Sequence, residues 1–65
     1  MIYLDEHKVV IKHYKNIILY EPYCLQIKME QYILKVIGEN FMIIYLSKEE
    51  IHARGKVKEV KWIYE

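Results

Sequence analysis

A chain of 65 residues with a net charge of +1 and 29% charged side chains is one small domain, and it lacks the strong basic excess of a dedicated polyanion binder. Its single cysteine, Cys24, excludes an internal disulfide framework and fits a reducing compartment. The longest apolar run, Phe41 to Leu46, falls far short of the roughly 20 residues of a spanning helix; with Asp5 and Glu6 so early, no signal peptide is expected, and the chain reads as cytoplasmic.

In chain order, apolar and polar residues alternate in short stretches, the pattern of a strand with one buried face. The first expected strand is Ile2–Leu4, closed by the polar corner Asp5-Glu6-His7. Lys8–Tyr14 and Asn16–Tyr20 follow, and Glu21-Pro22 supplies the next corner, with proline fixing φ and removing a donor. Tyr23–Met29 contains the cleanest alternation, Leu25-Gln26-Ile27-Lys28-Met29-Glu30. Gln31–Ile37 and Phe41–Leu46 are expected to be separate strands around Gly38-Glu39-Asn40. Ile51–Arg54 and Lys56–Tyr64 then flank Arg54-Gly55-Lys56. The corners recur about every sixteen residues, so one pattern is written four times.

Residues 1–65 therefore predict a single all-β domain, a small antiparallel meander of seven or eight short strands. An open roll, a sandwich, a small barrel and a short solenoid-like stack all accommodate the repeat. The apolar phase places Leu25, Ile27, Leu34, Val36, Ile43, Ile51, Val57 and Val60 in the core. Val57 and Val60 are three apart, so both face inward only if Lys58-Glu59 holds a bulge. Ser47-Lys48-Glu49-Glu50 has the spacing of a capping box, which points to a single helical turn between strands. Gly38 and Gly55 are expected at strand ends or bulges, at least one with positive φ.

No residue set resembles an active site, and no enzymatic activity, cofactor or small-molecule substrate is expected. Cys24 has no histidine nearby in sequence and reads as a structural thiol. His7, His13 and His52 share no metal-ligand spacing. The adjacent acids Glu49 and Glu50 read as a solvated turn, and neither glycine lies in a phosphate-binding loop. Lys56, Lys58 and Lys61 with Trp62 form the nearest approach to a nucleic-acid signal, since lysines steer phosphates and an indole stacks a base. Lysines on a terminal strand also protect an edge from stacking, and that reading is preferred here. The seven tyrosines are too many for one small core. Some must lie on the outer face; good strand formation is the preferred reading of the set, and the second is a contact surface, a use that suits a large apolar ring with a polar tip.

Beyond these patterns, the second half resembles a known family. Leu34-x-Val36-x-Gly38-x-x-Phe41-x-Ile43, then Leu46-Ser47-x-Glu49-Glu50-Ile51 and Gly55-Lys56-Val57-x-x-Val60, is similar to the YabP/YqfC family of sporulation proteins. Val10-x-x-His13-Tyr14-Lys15-Asn16-Ile17-Ile18-Leu19-Tyr20 looks like the preceding segment of the YqfC-like branch, so the resemblance runs from about Val9 to Tyr64. Phe41 stands where leucine is usual in the family, and Ala53 where a larger aliphatic is usual. The resemblance implies a non-enzymatic role in endospore formation, in the mother cell or peripherally at the spore envelope. The expected partners are a second copy of the chain or another sporulation protein, membrane proteins included. Trp62, Tyr64, Tyr45, Lys58 and Lys61 are the expected contact residues, with a small barrel binding single-stranded nucleic acid as the alternative.

Overall fold

A computed structural model describes residues 1–64 as one antiparallel sheet of six strands. The strands are β1 (Ile2–Leu4), β2 (Lys8–Lys12), β3 (Asn16–Glu21), β4 (Cys24–Lys28), β5 (Tyr32–Leu46) and β6 (Glu50–Tyr64). Their spatial order is β1-β2-β6-β5-β4-β3. The expected all-β class is present, but the expected seven or eight strands are six, and the order is not a simple meander. The corners at 38–40 and 54–56 are not turns. The ladder between β5 and β6 runs through both of them, with register shifts between Ile37 and Gly38 and between Glu39 and Met42. Four expected strands therefore fuse into two of 15 residues each.

A straight strand of that length would span about 50 Å, yet the longest dimension of the protein is 26 Å. The β5–β6 hairpin must fold over. One half of the sheet is β3, β4, the first part of β5 and the last part of β6; the other is β1, β2, the first part of β6 and the last part of β5. Their apolar faces meet in one core. Leu25, Ile27, Leu34 and Val36 come from the first half, and Val9, Ile11, Ile51 and Ala53 from the second, all fully buried. Of the expected core, Ile43, Val57 and Val60 are only half-buried, packed at its margin. The expected bulge is present: Ile37 lies opposite Glu59 and Gly38 opposite Val57, which leaves Lys58 as the extra residue.

The fold line is built from two glycines and a phenylalanine. A Cβ on Gly38 would collide with the Lys56 carbonyl oxygen and lie 2.7 Å from Phe41 Cζ. A Cβ on Gly55, whose φ is +152°, would lie 2.5 Å from Phe41 Cδ1 and 2.9 Å from the Glu39 carbonyl oxygen. Asn40, with φ of 57°, takes the left-handed conformation that an asparagine tolerates. Asn40 and Phe41 together oppose the single Gly55, so Phe41 turns inward and is buried over both glycines.

The remaining corners are turns. Ser47 does not start a helix; its Oγ accepts the N–H groups of Glu49 and Glu50 at 3.3 and 3.1 Å and closes the β5–β6 hairpin. Only the serine half of a capping box forms, and it does so in a turn: the Ser47 N–H donates to the Glu50 backbone carbonyl, while the Glu50 carboxylate pairs with His52. β2 ends at Lys12, earlier than the expected Tyr14, because His13 adopts φ of 60° and lets the chain leave the sheet. Tyr14 then packs against the core, and its hydroxyl donates to the Ser47 carbonyl at 2.6 Å.

Gly38→Val and Gly55→Val should each lower the melting temperature far more than Lys48→Val, as thermal circular dichroism will read, because both meet backbone at the fold line. Ile27→Ala should cost about 2–5 kcal/mol through lost burial and a residual cavity. Ile43→Ala, at a half-buried site, should cost clearly less; equal losses would mean that the two halves share the core differently.

Candidate interaction edge

Folding the long hairpin over leaves part of each long strand with no neighbour on one side. β4 pairs with β5 only from Ile33 to Ile37, and β2 pairs with β6 only from Glu50 to Arg54. The exposed continuation of β5 is covered by the turn between β3 and β4. There the Gly38 N–H donates to the Tyr23 carbonyl at 3.0 Å, and the Phe41 N–H to the Pro22 carbonyl at 2.7 Å. The Ile43 N–H donates to the Tyr20 hydroxyl oxygen at 3.0 Å. The sequence marked Glu21-Pro22 as a corner without revealing this second use.

The continuation of β6 is covered in the same way, but less far. The Gly55 N–H donates to the His7 carbonyl at 3.2 Å and the Val57 N–H to the Glu6 carbonyl at 3.0 Å. Asp5 braces this loop: one carboxylate oxygen accepts the His7 N–H at 2.8 Å and the other the Tyr3 hydroxyl at 3.0 Å. These bonds, the His7 amide first, hold the Asp5 carboxyl below its ordinary range. Past Val57 the cover stops. Among the described residues, the segment 59–64 pairs with β5 and with no other strand.

Four of the five expected contact residues lie on that segment or, in the case of Lys58, immediately before it. Trp62 sits opposite Leu34 on the core-facing side of the sheet, yet 48% of it is exposed because no strand flanks it. Tyr64 is 70% exposed and tilts against Tyr32 with ring centres 5.5 Å apart. Lys58 is the bulge residue, and its ammonium pairs with Glu39 at 2.9 Å, which holds the Glu39 carboxyl below its usual range. Lys61 follows Val60 and precedes Trp62, so it projects to the opposite face, where Glu59 lies at 3.8 Å.

Tyr45 is elsewhere. It lies opposite His52 in the other half of the sheet, with the two rings edge to face at 5.1 Å. Tyr3, Val10, His52 and Tyr45 form a row across β1, β2, β6 and β5, so Tyr45 belongs to a separate surface. Missed altogether at the sequence level was Lys35, which the register sets directly opposite Lys61.

The remaining candidates carry little chemistry. Cys24 is buried on β4. No group of three or more His, Cys, Asp or Glu side chains among the described residues is arranged to hold a metal ion. An open depression of about 280 Å³ is lined by Met1, His13, Met29, Glu30, Gln31 and Tyr32, mostly apolar or neutral groups.

Because the Asp5 carboxyl is lowered in the folded state, its contribution to stability is complete above the unfolded carboxylate range. That contribution is lost as pH falls through the folded value. Melting temperatures from neutral to acid pH should therefore fall less steeply for Asp5→Asn, which cannot titrate, than for the parent; identical slopes would remove Asp5 from the account. Trp62→Ala should leave the melting temperature within a few degrees of the parent, since the indole is half exposed, whereas Phe41→Ala should not.

No family model matches the chain, and no curated protein or solved structure matches it either.

Proposed function

We propose that this chain is a non-enzymatic association module of endospore formation, working in the mother cell or at the spore envelope, and that it joins its partner through the β6 edge from Lys58 to Tyr64. The sporulation context rests on the resemblance to the YabP/YqfC family carried by Leu34 to Val60. The mode of action rests on one observation: a strand segment with no neighbour on one side, bearing a half-exposed tryptophan and an exposed tyrosine. Unpaired N–H and C=O groups in extended conformation are a template for another strand. Aromatic side chains beside such a template add apolar area at little rotamer cost. The partner class includes a second copy and another sporulation protein, either of which would use the same backbone groups.

Binding of single-stranded nucleic acid has weaker support. Trp62 and Lys61 project to opposite faces, so stacking and phosphate contact are not assembled together. Lys58 and Lys61 each have a carboxylate beside them already.

The test is association itself. The pure protein is followed by sedimentation well into the concentration range above micromolar dissociation constants, and the tethered protein is challenged with an extract of sporulating cells. Association that is lost with Trp62→Ala, at an unchanged melting temperature, supports the reading. A protein that stays monomeric and retains the same background as the Trp62→Ala bait would end it.

A further inference from the structure

We infer that the partner at this edge is an extended segment of a different chain, with an acidic residue opposite Lys61 and apolar residues on either side of it, added to the sheet as one more strand. The inference rests on the proposed association edge and specifies its occupant. It starts from the cross-strand register: Gln26 lies opposite Lys35, and Lys35 lies opposite Lys61. Lys35 stands between Leu34 and Val36, both fully buried, so it points away from the core, as Lys61 does between Val60 and Trp62. Like charges directly opposite on one face of a sheet destabilise it. Nothing in the described protein relieves the pair well. Lys61 has only the exposed Glu59 at 3.8 Å, a contact of little energetic weight, and Lys35 has no ion pair among the described residues. The row runs off the open edge at Lys61. The next position along it belongs to whatever strand is added, and an acid there meets the end of two stacked positive charges.

On the core-facing side the demands are opposite. Val60 is half-buried and Trp62 half-exposed, so residues opposite them extend the apolar face if they are apolar themselves. The edge thus asks for an acid flanked by apolar residues.

A second copy supplies this poorly. A two-fold axis perpendicular to the sheet keeps each residue on its own face, so antiparallel pairing of two β6 edges must centre on one residue meeting itself. Centred on Lys61, it would add a third lysine to the row. Centred on Val60, it would bring Glu59 of the second copy to Lys61, but would also place that copy's Ile63 against Val57, whose N–H is already held by the Glu6 carbonyl. Centred on Trp62, it would set Lys61 against an isoleucine. Only the Val60-centred pairing satisfies Lys61, and it is obstructed at Val57, so coverage and charge together favour a different chain. Phosphates of a nucleic acid would also neutralise the lysines, but they cannot continue the backbone ladder.

Trp62 is the only tryptophan, so its fluorescence reports the edge directly. The probes are two capped peptides with valine at odd positions and threonine at even ones, their central threonine replaced by glutamate in one and by lysine in the other. An oligothymidine serves as the nucleic-acid control. The glutamate peptide should shift the Trp62 emission and bind about tenfold or more tighter than the lysine peptide. Lys61→Glu should reverse that preference. Lys35→Glu should raise the melting temperature of the free protein and narrow the preference, which a merely structural lysine would not do. Equal binding of both peptides overturns the inference, as does oligothymidine binding that the glutamate peptide cannot displace. If neither peptide binds while the pure protein still self-associates in a Trp62-dependent way, the partner assigned here is wrong and the association reading stands. If association is absent too, both fall.

Discussion

The structure depends on one constraint: two strands of 15 residues must fold over within a protein only 26 Å long. A flat hairpin of that length would bury neither face. Folding it lets the sheet cover itself, which is how a chain with no helix and no second sheet among its described residues obtains a core. The fold line needs backbone to approach backbone on its inner side, and a side chain there would be expelled. Gly38 and Gly55 meet that demand, and Phe41 fills the space their missing side chains leave. A larger side chain at either glycine would force the halves apart and expose Leu25, Ile27, Ile51 and Ala53 together. The two glycines thus act on the whole core, although neither contributes apolar area to it.

The same geometry decides which parts of the two long strands remain open. Each flanking strand pairs only with the early part of a long strand, and the later part of each turns away beyond the fold line. The two short hairpins answer this with their turns, lending carbonyl oxygens to the exposed amides of β5 and β6. Their reach differs. Pro22, Tyr23 and the Tyr20 hydroxyl cover β5 as far as Ile43, whereas Glu6 and His7 cover β6 only as far as Val57. The uncovered edge bears lysines at 58 and 61, the side chains by which sheet proteins discourage indiscriminate stacking. Under the proposed association, an edge both open and charged would select among partners: the backbone would accept any strand, and the lysine row would favour the one whose charge fits.

Much of this architecture was legible in the residues. Period-two alternation determined the all-β class and the inward phase of Leu25, Ile27, Leu34, Val36 and Ile51, because it depends only on the pleat. The spacing of Val57 and Val60 located a bulge for the same reason. The alternation also predicted a conformational role for both glycines. It did not separate a corner that turns the chain from one that bends a strand, since glycine and asparagine serve both. Gly38-Glu39-Asn40 and Arg54-Gly55-Lys56 read as polar corners, as Asp5-Glu6-His7 does, yet a ladder runs through the first two and not through the third. Only the partner strand decides that, by offering amides and carbonyls in register across the break.

The candidate edge divides in the same way. Trp62, Tyr64, Lys58 and Lys61 were visible as an aromatic and basic terminal strand, because exposure at such a strand follows from composition and position. Tyr45 had the same residue type but falls in the other half of the sheet, opposite His52. Lys35 gave no local signal at all. Its significance comes from lying opposite Lys61, residues 26 positions apart in the chain. The pleated, one-face-apolar strands and the residues able to bend them are readable along the chain, because these follow from local sterics and periodicity. Which part of β6 stays uncovered and which lysines face each other came from the tertiary structure alone, because register and coverage are set by contacts between distant segments.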